Sequence, residues 1–206
     1  YDHVQILGDT LGKIAFEKAG IIKYKTPVVI GETQDETTEV FKNKAIENSA
    51  ALFFADQQLT VSNFNYKNEK LHVTVKSNFD ESIKHYELEL TGNYQSKNVL
   101  TVLSALYQLQ NLDFKISEEN IKKGLALTKS NTGLRGRWEV LENNPTVIID
   151  VAHNKDGMHQ VLHQLTFTEY KNLHIIIGMV KDKDVDAVLQ LLPKSAKYYF
   201  TNASVP

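Results

Sequence analysis

Apolar residues recur along this chain with two different periods, and the period changes at two places. Leu11, Ile14, Ala15, Ala19 and Ile22 fall at helical spacing, which predicts an amphipathic helix. Gly8-Asp9-Thr10 supplies its turn and cap, and Gly20 sits near its end. Short apolar runs at Val4–Leu7, Pro27–Ile30 and Ala50–Phe54 read as buried strands. Between the last two, Thr33-Gln34-Asp35-Glu36 has capping-box spacing. It predicts a helix to about Ser49 with Val40, Phe41, Ala45 and Ile46 apolar. This β-α-β-α-β rhythm predicts a parallel, helix-covered sheet.

The texture changes at Ala55. Leu59–Phe64, Leu71–Val75 and His85–Leu90 alternate as short strands, with turns at Tyr66–Lys70 and Ser77–Asp80. They predict a small antiparallel meander. Asn93–Asn111 returns to helical spacing, and Ser117 caps a further helix through Leu127. Lys129–Gly136 is polar and carries glycines, so a domain boundary is expected there, dividing the chain into residues 1–132 and 133–206. The same stretch, Gly133 to Gly136, has the composition of a hinge.

The second part reads as strands at Arg137–Leu141 and Thr146–Ile149, then a helix at Lys155–Leu165 and a strand at Leu173–Ile177. A loop at Gly178–Asp184, a helix at Val185–Leu192 and a strand at Lys197–Thr201 follow. This is a small Rossmann-like domain without its last elements. The fold class is α/β.

Composition narrows the function. The chain is 42% hydrophobic and 23% charged, with a net charge of −2. No long basic run is present, which argues against nucleic-acid binding. There is no cysteine, so thiolate chemistry and disulfides are excluded for these 206 residues. No apolar run is long enough to span a bilayer, and no signal peptide opens the chain. Cytoplasm is the expected compartment. The missing initial Met and the ends at Tyr1 and Pro206 predict a piece of something longer.

Chemistry concentrates around Gly133-Leu134-Arg135-Gly136-Arg137-Trp138-Glu139 and the run Val147-Ile148-Ile149-Asp150-Val151-Ala152-His153-Asn154. In open α/β sheets, ligands sit beyond the carboxyl ends of the strands. Asp150 and His153 occupy that place if Thr146–Ile149 is a central strand. Arg137 can reach the same crevice, and its planar fork suits a phosphate. Each residue also has a plainer reading. Asp150 could cap the next helix, Arg137 could close a surface ion pair, and His153 could be a core or capping residue. Asn98, at the start of a helix, could be a cap. Lys18 could point to water, and His3 could simply end a strand.

Taken together, these residues resemble one family. Asp2-His3, Ile6-Leu7-Gly8-Asp9-Thr10 and Ile14-Ala15-Phe16-Glu17-Lys18-Ala19-Gly20-Ile21-Ile22-Lys23 resemble the folylpolyglutamate synthase pattern within the Mur ligase superfamily. The Asn98 helix, Gly136-Arg137, Asp150-x-x-His153-Asn154 and Gly178-Met179-x-Lys181-Asp182-Lys183-Asp184 follow in the family's order. The resemblance implies the end of a Mur-ligase-type ATPase domain, a parallel sheet with helices plus a small antiparallel meander, followed by the Rossmann-like C-terminal domain.

It further implies an ATP-dependent ligase that joins L-glutamate to the γ-carboxylate of a reduced folate through an acyl phosphate. On this resemblance His3 is the magnesium-binding histidine and Lys18 a carbamylated lysine near the γ-phosphate. Asn98 contacts adenine, Arg137 holds phosphate, Asp150 lies on the ribose side, and His153 lies near the reacting groups. ATP and Mg²⁺ are the implied cofactors. Reduced folate, L-glutamate and ATP are the implied partners, bound by a monomer. The family's phosphate loop and folate-binding loop do not occur in these residues, so this stretch alone is expected to be inactive. The alternatives are dihydrofolate synthase activity, another Mur-type amino-acid ligase, and a non-enzymatic nucleotide-binding remnant.

Overall fold

The structure is a computed structural model that describes residues 10–179 and 185–201. The expected strand at Val4–Leu7, His3 and the whole Lys181–Asp184 loop lie outside the described residues.

Helix α1 (Leu11–Ala19) is capped by Thr10, whose hydroxyl accepts from the Lys13 amide. It is shorter than its apolar pattern, because the chain turns at Gly20 and Ile22 packs back beside it. Ala15, Ala19 and Ile22 bury against Phe41 of α2 (Asp35–Glu47). Strands β1 (Val28–Ile30) and β2 (Leu52–Phe54) pair in parallel, as the rhythm predicts.

The capping box expected at Thr33 does not form. The helix starts at Asp35 with Gln34 as an N-cap that makes no side-chain bond. Thr33 donates instead to Asp56, from its amide at 2.7 Å and its hydroxyl at 2.8 Å. A charged acceptor outcompetes the local neutral cap.

Asp56 sits in a short helix, α3 (Ala55–Gln58), that the pattern did not predict. The meander then follows as β3 (Leu59–Lys67), β4 (Lys70–Ser77) and β5 (Ile83–Leu88), all antiparallel. Asn68 and Glu69 carry φ of 51° and 58°, giving a tight hairpin whose twist suits its strands. Leu71, Val73 and Val75 alternate into the core. There they meet Val99, Leu100 and Leu103 of α4 (Gln95–Asn111) and Ile121 of α5 (Glu118–Ala126). Each such fully buried aliphatic side chain contributes roughly 1.5–3 kcal/mol of hydrophobic stabilisation. The Ser117 cap is present as a capping box with Asn120.

The polar stretch where the domain boundary is expected begins within one more short helix, α6 (Thr128–Thr132), ended by Gly133 at φ 69°. Strands β6 (Glu139–Asn143) and β7 (Thr146–Ile149) form an antiparallel hairpin. Helix α7 (Lys155–Leu165) follows. Strands β8 (His174–Gly178) and β9 (Lys197–Thr201) pair in parallel around α8 (Val185–Leu189). No helix among the described residues is long and apolar enough to cross a membrane.

Candidate functional site

A cleft of about 650 Å³ lies where the carboxyl ends of β1, β2 and β7 meet the N-termini of α4 and α7. Gly31 and Glu32 follow β1, and Asp56 follows β2. Tyr94, Lys97, Asn98 and Thr101 come from the start of α4. Arg137 precedes β6, and Asp150 through Asn154 follow β7. The parallel pair β1–β2 contributes the strand-end crevice that open α/β sheets offer to ligands, whereas β7 reaches it as one arm of an antiparallel two-stranded hairpin and not as the expected central strand. The helix N-termini turn their positive dipole ends toward it.

Four of the residues singled out in the sequence therefore share one cleft: Asn98, Arg137, Asp150 and His153. Lys18 does not line it; the side chain is exposed on α1. His3 lies outside the described residues. Among the described residues no group of three or more histidines and carboxylates is arranged to hold a metal ion.

Asp150 accepts three hydrogen bonds. Its Oδ2 accepts from the Tyr94 hydroxyl at 2.9 Å and the Trp138 amide at 2.8 Å. Its Oδ1 accepts from the Ala152 amide at 2.9 Å. It does not cap α7; Asn154 does, accepting from the Gly157 amide at 2.7 Å. Trp138 is buried at φ 52°, an uncommon backbone for a bulky residue. The Asp150 bond to its amide and the Thr91 hydroxyl bond to its carbonyl, 2.9 Å long, hold it there.

Arg137 is placed by its neighbours. Gly136 O accepts from the Val151 amide at 3.0 Å, extending the β6–β7 ladder by one more bond. Glu139 is buried and gathers three donors: Lys129 Nζ at 2.7 Å, Arg135 Nε at 2.6 Å and the Gly136 amide at 2.9 Å. The Lys129 ammonium, then the Gly136 amide and the Arg135 guanidinium, lower its carboxyl to about 2. The residues on either side of Arg137 are thus fixed while its own guanidinium lines the cleft. Its one hydrogen bond among the described residues runs from Nη1 to Gly136 O at 3.3 Å.

On the far wall Lys97 pairs with Glu32 at 3.1 Å, and Asn98 donates to Gln95 Oε1 at 3.0 Å. His153 Nδ1 lies 3.0 Å from Val151 O. Besides the Lys129–Glu139 pair, contacts that join the two halves include Thr91 to Trp138 O, the Asn93 amide to Gln164 Oε1 at 2.6 Å, and Tyr94 to Asp150. Sequence reasoning missed Tyr94, Lys97, Glu32 and Asp56. Tyr94 had a usable signal, since it lies four residues before Asn98 at the start of one helix. Asp56 had none, because its partner Thr33 is 23 residues away.

Residues 136–206 match the family described as Mur ligase, glutamate ligase domain. Over 93% of its length the chain is 31% identical to the dihydrofolate synthase/folylpolyglutamate synthase of Bacillus subtilis (strain 168). Residues 136–206 thus match a Mur ligase glutamate ligase domain, and the chain as a whole is similar to folylpolyglutamate synthases. It spans 44% of the length of that Bacillus relative. A probable bifunctional folylpolyglutamate synthase/dihydropteroate synthase of Haloferax volcanii is 30% identical over 99% of this chain and 24% of its own. Among solved structures, a complex of folylpolyglutamate synthase with AMPPCP and folate superposes with a TM-score of 0.84 at 26% identity. That match covers 97% of this chain and 48% of the other. The Mycobacterium tuberculosis folylpolyglutamate synthase complexed with ADP gives 0.81 at 25% identity, covering 100% and 46%.

Proposed function

We propose that the cleft is part of the nucleotide site of an ATP-dependent ligase that adds L-glutamate to the γ-carboxylate of a tetrahydrofolate polyglutamate, releasing ADP and phosphate. The observation that carries this is the convergence of Asn98, Arg137, Asp150 and His153 in one crevice at the strand ends. Two neighbouring folylpolyglutamate synthase structures, solved with an ATP analogue or ADP, support it.

The residues fit a nucleoside polyphosphate. Asp150 Oδ1 keeps acceptor capacity beyond its bond to Ala152, enough for a ribose hydroxyl. Arg137 offers a planar fork to phosphate oxygens, and the α7 N-terminus adds amides nearby. Asn98 is assigned to adenine. The reaction phosphorylates the γ-carboxylate, and the glutamate amino group then attacks the acyl phosphate. Fixing charged groups in a preorganised crevice is the main catalytic device for such a transfer. His153 is assigned to the reacting groups.

Lys18, carbamylated or not, and His3 as a magnesium ligand are assigned on resemblance alone. The described residues do not by themselves form a magnesium site. The domain boundary is proposed at residues 132–133, with the two parts closing on the ligand. We place the enzyme in the cytoplasm as a monomer. These residues contain no phosphate-loop motif, so this stretch alone is expected not to turn over. A second reading, glutamate addition to dihydropteroate, is favoured by the bifunctional name of the Bacillus relative.

The test is phosphate release by the full-length gene product with ATP, L-glutamate and tetrahydrofolate, omitting each in turn. Release that needs all three is expected. Release indifferent to tetrahydrofolate would reject the folate substrate.

A further inference from the structure

We propose that Tyr94 is a positioning residue of the cleft: seated on Gly92, its hydroxyl holds the Asp150 carboxylate from across the seam and leaves it a single acceptor position for a ligand hydroxyl. This rests on the nucleotide reading above and deepens it.

The argument is a count of lone pairs. A carboxylate offers about four acceptor positions, two on each oxygen. Asp150 Oδ2 spends both, on the Tyr94 hydroxyl and the Trp138 amide. Oδ1 spends one, on the Ala152 amide. One position remains. A ribose that donated both of its hydroxyls to Asp150 would have to displace Tyr94 or Trp138. A ribose that donates one displaces nothing.

Tyr94 is suited to this role. Its phenol is half-buried, and burial together with the Asp150 charge raises its pKa, so it stays a donor across the working pH range. Its position depends on Gly92. A Cβ on that buried glycine would lie 2.6 Å from Tyr94 Cε1 and 2.8 Å from Cζ, so the ring occupies space that any other residue would fill. The bond spans 56 residues and joins the start of α4 to the end of β7. Asp150 is therefore oriented by the other half of the chain as well as by its own loop.

The experiment compares ATP, 2′-deoxy-ATP and 3′-deoxy-ATP in the full-length enzyme, for the parent, Tyr94→Phe and Gly92→Ala. In the parent one deoxy analogue has a KM roughly tenfold above that of ATP, as loss of one bond to a charged acceptor requires, and the other stays within about twofold. Tyr94→Phe, which keeps the ring, raises the KM for ATP several-fold, lowers kcat by much less, and narrows the gap between the analogues. Gly92→Ala reproduces that pattern without touching Asp150. If Gly92→Ala does not fold, Tyr94→Phe decides alone. An unchanged ATP KM and analogue pattern in Tyr94→Phe overturns the proposal. Equal discrimination against both analogues in the parent also overturns it, while leaving the nucleotide reading intact. Absence of ATP-dependent turnover in the parent overturns both.

Discussion

Gly136 and Val151 lie in direct backbone contact: the glycine carbonyl accepts from the valine amide at 3.0 Å, and a Cβ on the glycine would stand 2.5 Å from Val151 Cγ1. Gly136 also has φ 70°. Only glycine meets both demands without strain. Gly136→Ala is therefore expected to lose about 2–4 kcal/mol of stability, combining left-handed backbone cost with overpacking. Gly133 has a similar φ of 69° but open space around it, so Gly133→Ala should lose only about 1–2 kcal/mol. Denaturant midpoints of the two variants check this; equal losses would refute the role of Val151.

Glu139 gives a pH signature. Its carboxyl is lowered from 4.5 to about 2 in the folded state. A depressed folded pKa adds stability that is complete above the unfolded value and is lost as pH falls through the folded one. Glu139→Gln should thus be less stable than the parent at neutral pH. The difference should shrink as pH falls from about 4.5 to about 2. Thermal midpoints of both proteins across that range test it, and a constant difference would count against the three-donor clamp.

Asp56 ties the end of β1 to α3 through both Thr33 bonds. Asp56→Ala is expected to cost about 1.5–3 kcal/mol, the range for hydrogen bonds to a charged group. Asp56→Asn, which keeps an acceptor, should recover part of it. Urea unfolding of the three proteins makes the comparison.

Arg137→Lys separates charge from geometry. The ammonium keeps the charge and loses the two-pronged donor. On the proposed function the KM for ATP should rise roughly tenfold, with little change in the KM for glutamate. Equal increases for both substrates would argue that Arg137 acts on the fold of the loop and not on phosphate.

The sequence was most readable where spacing carries the physics. The α4 pattern and the α7 boundaries follow from helical periodicity, and the hairpin at Asn68-Glu69 follows from turn chemistry. That Asp150 lines the cleft was foreshadowed by its place just after an apolar strand, although that strand is a hairpin arm and not the central strand expected. The Thr33 cap failed because a distant carboxylate, Asp56, competed for the same hydroxyl, and local spacing carries no record of such a competitor. Helix α6 was hidden for a different reason. Its five residues are all polar, so it has no apolar face to announce it. The seam partners of Asp150 were illegible for the first reason: Tyr94 and Asp150 meet only after the halves pack.

Trp138 is the single tryptophan of the chain, and it is buried at the place where Thr91, Asp150 and the β6 hairpin come together. These 206 residues therefore contain a single built-in optical reporter. Indole emission, read without any label, follows the polarity and quenching around the one residue whose backbone is gripped from both halves of the chain. A shift in that emission during a titration would time events at the seam independently of product formation.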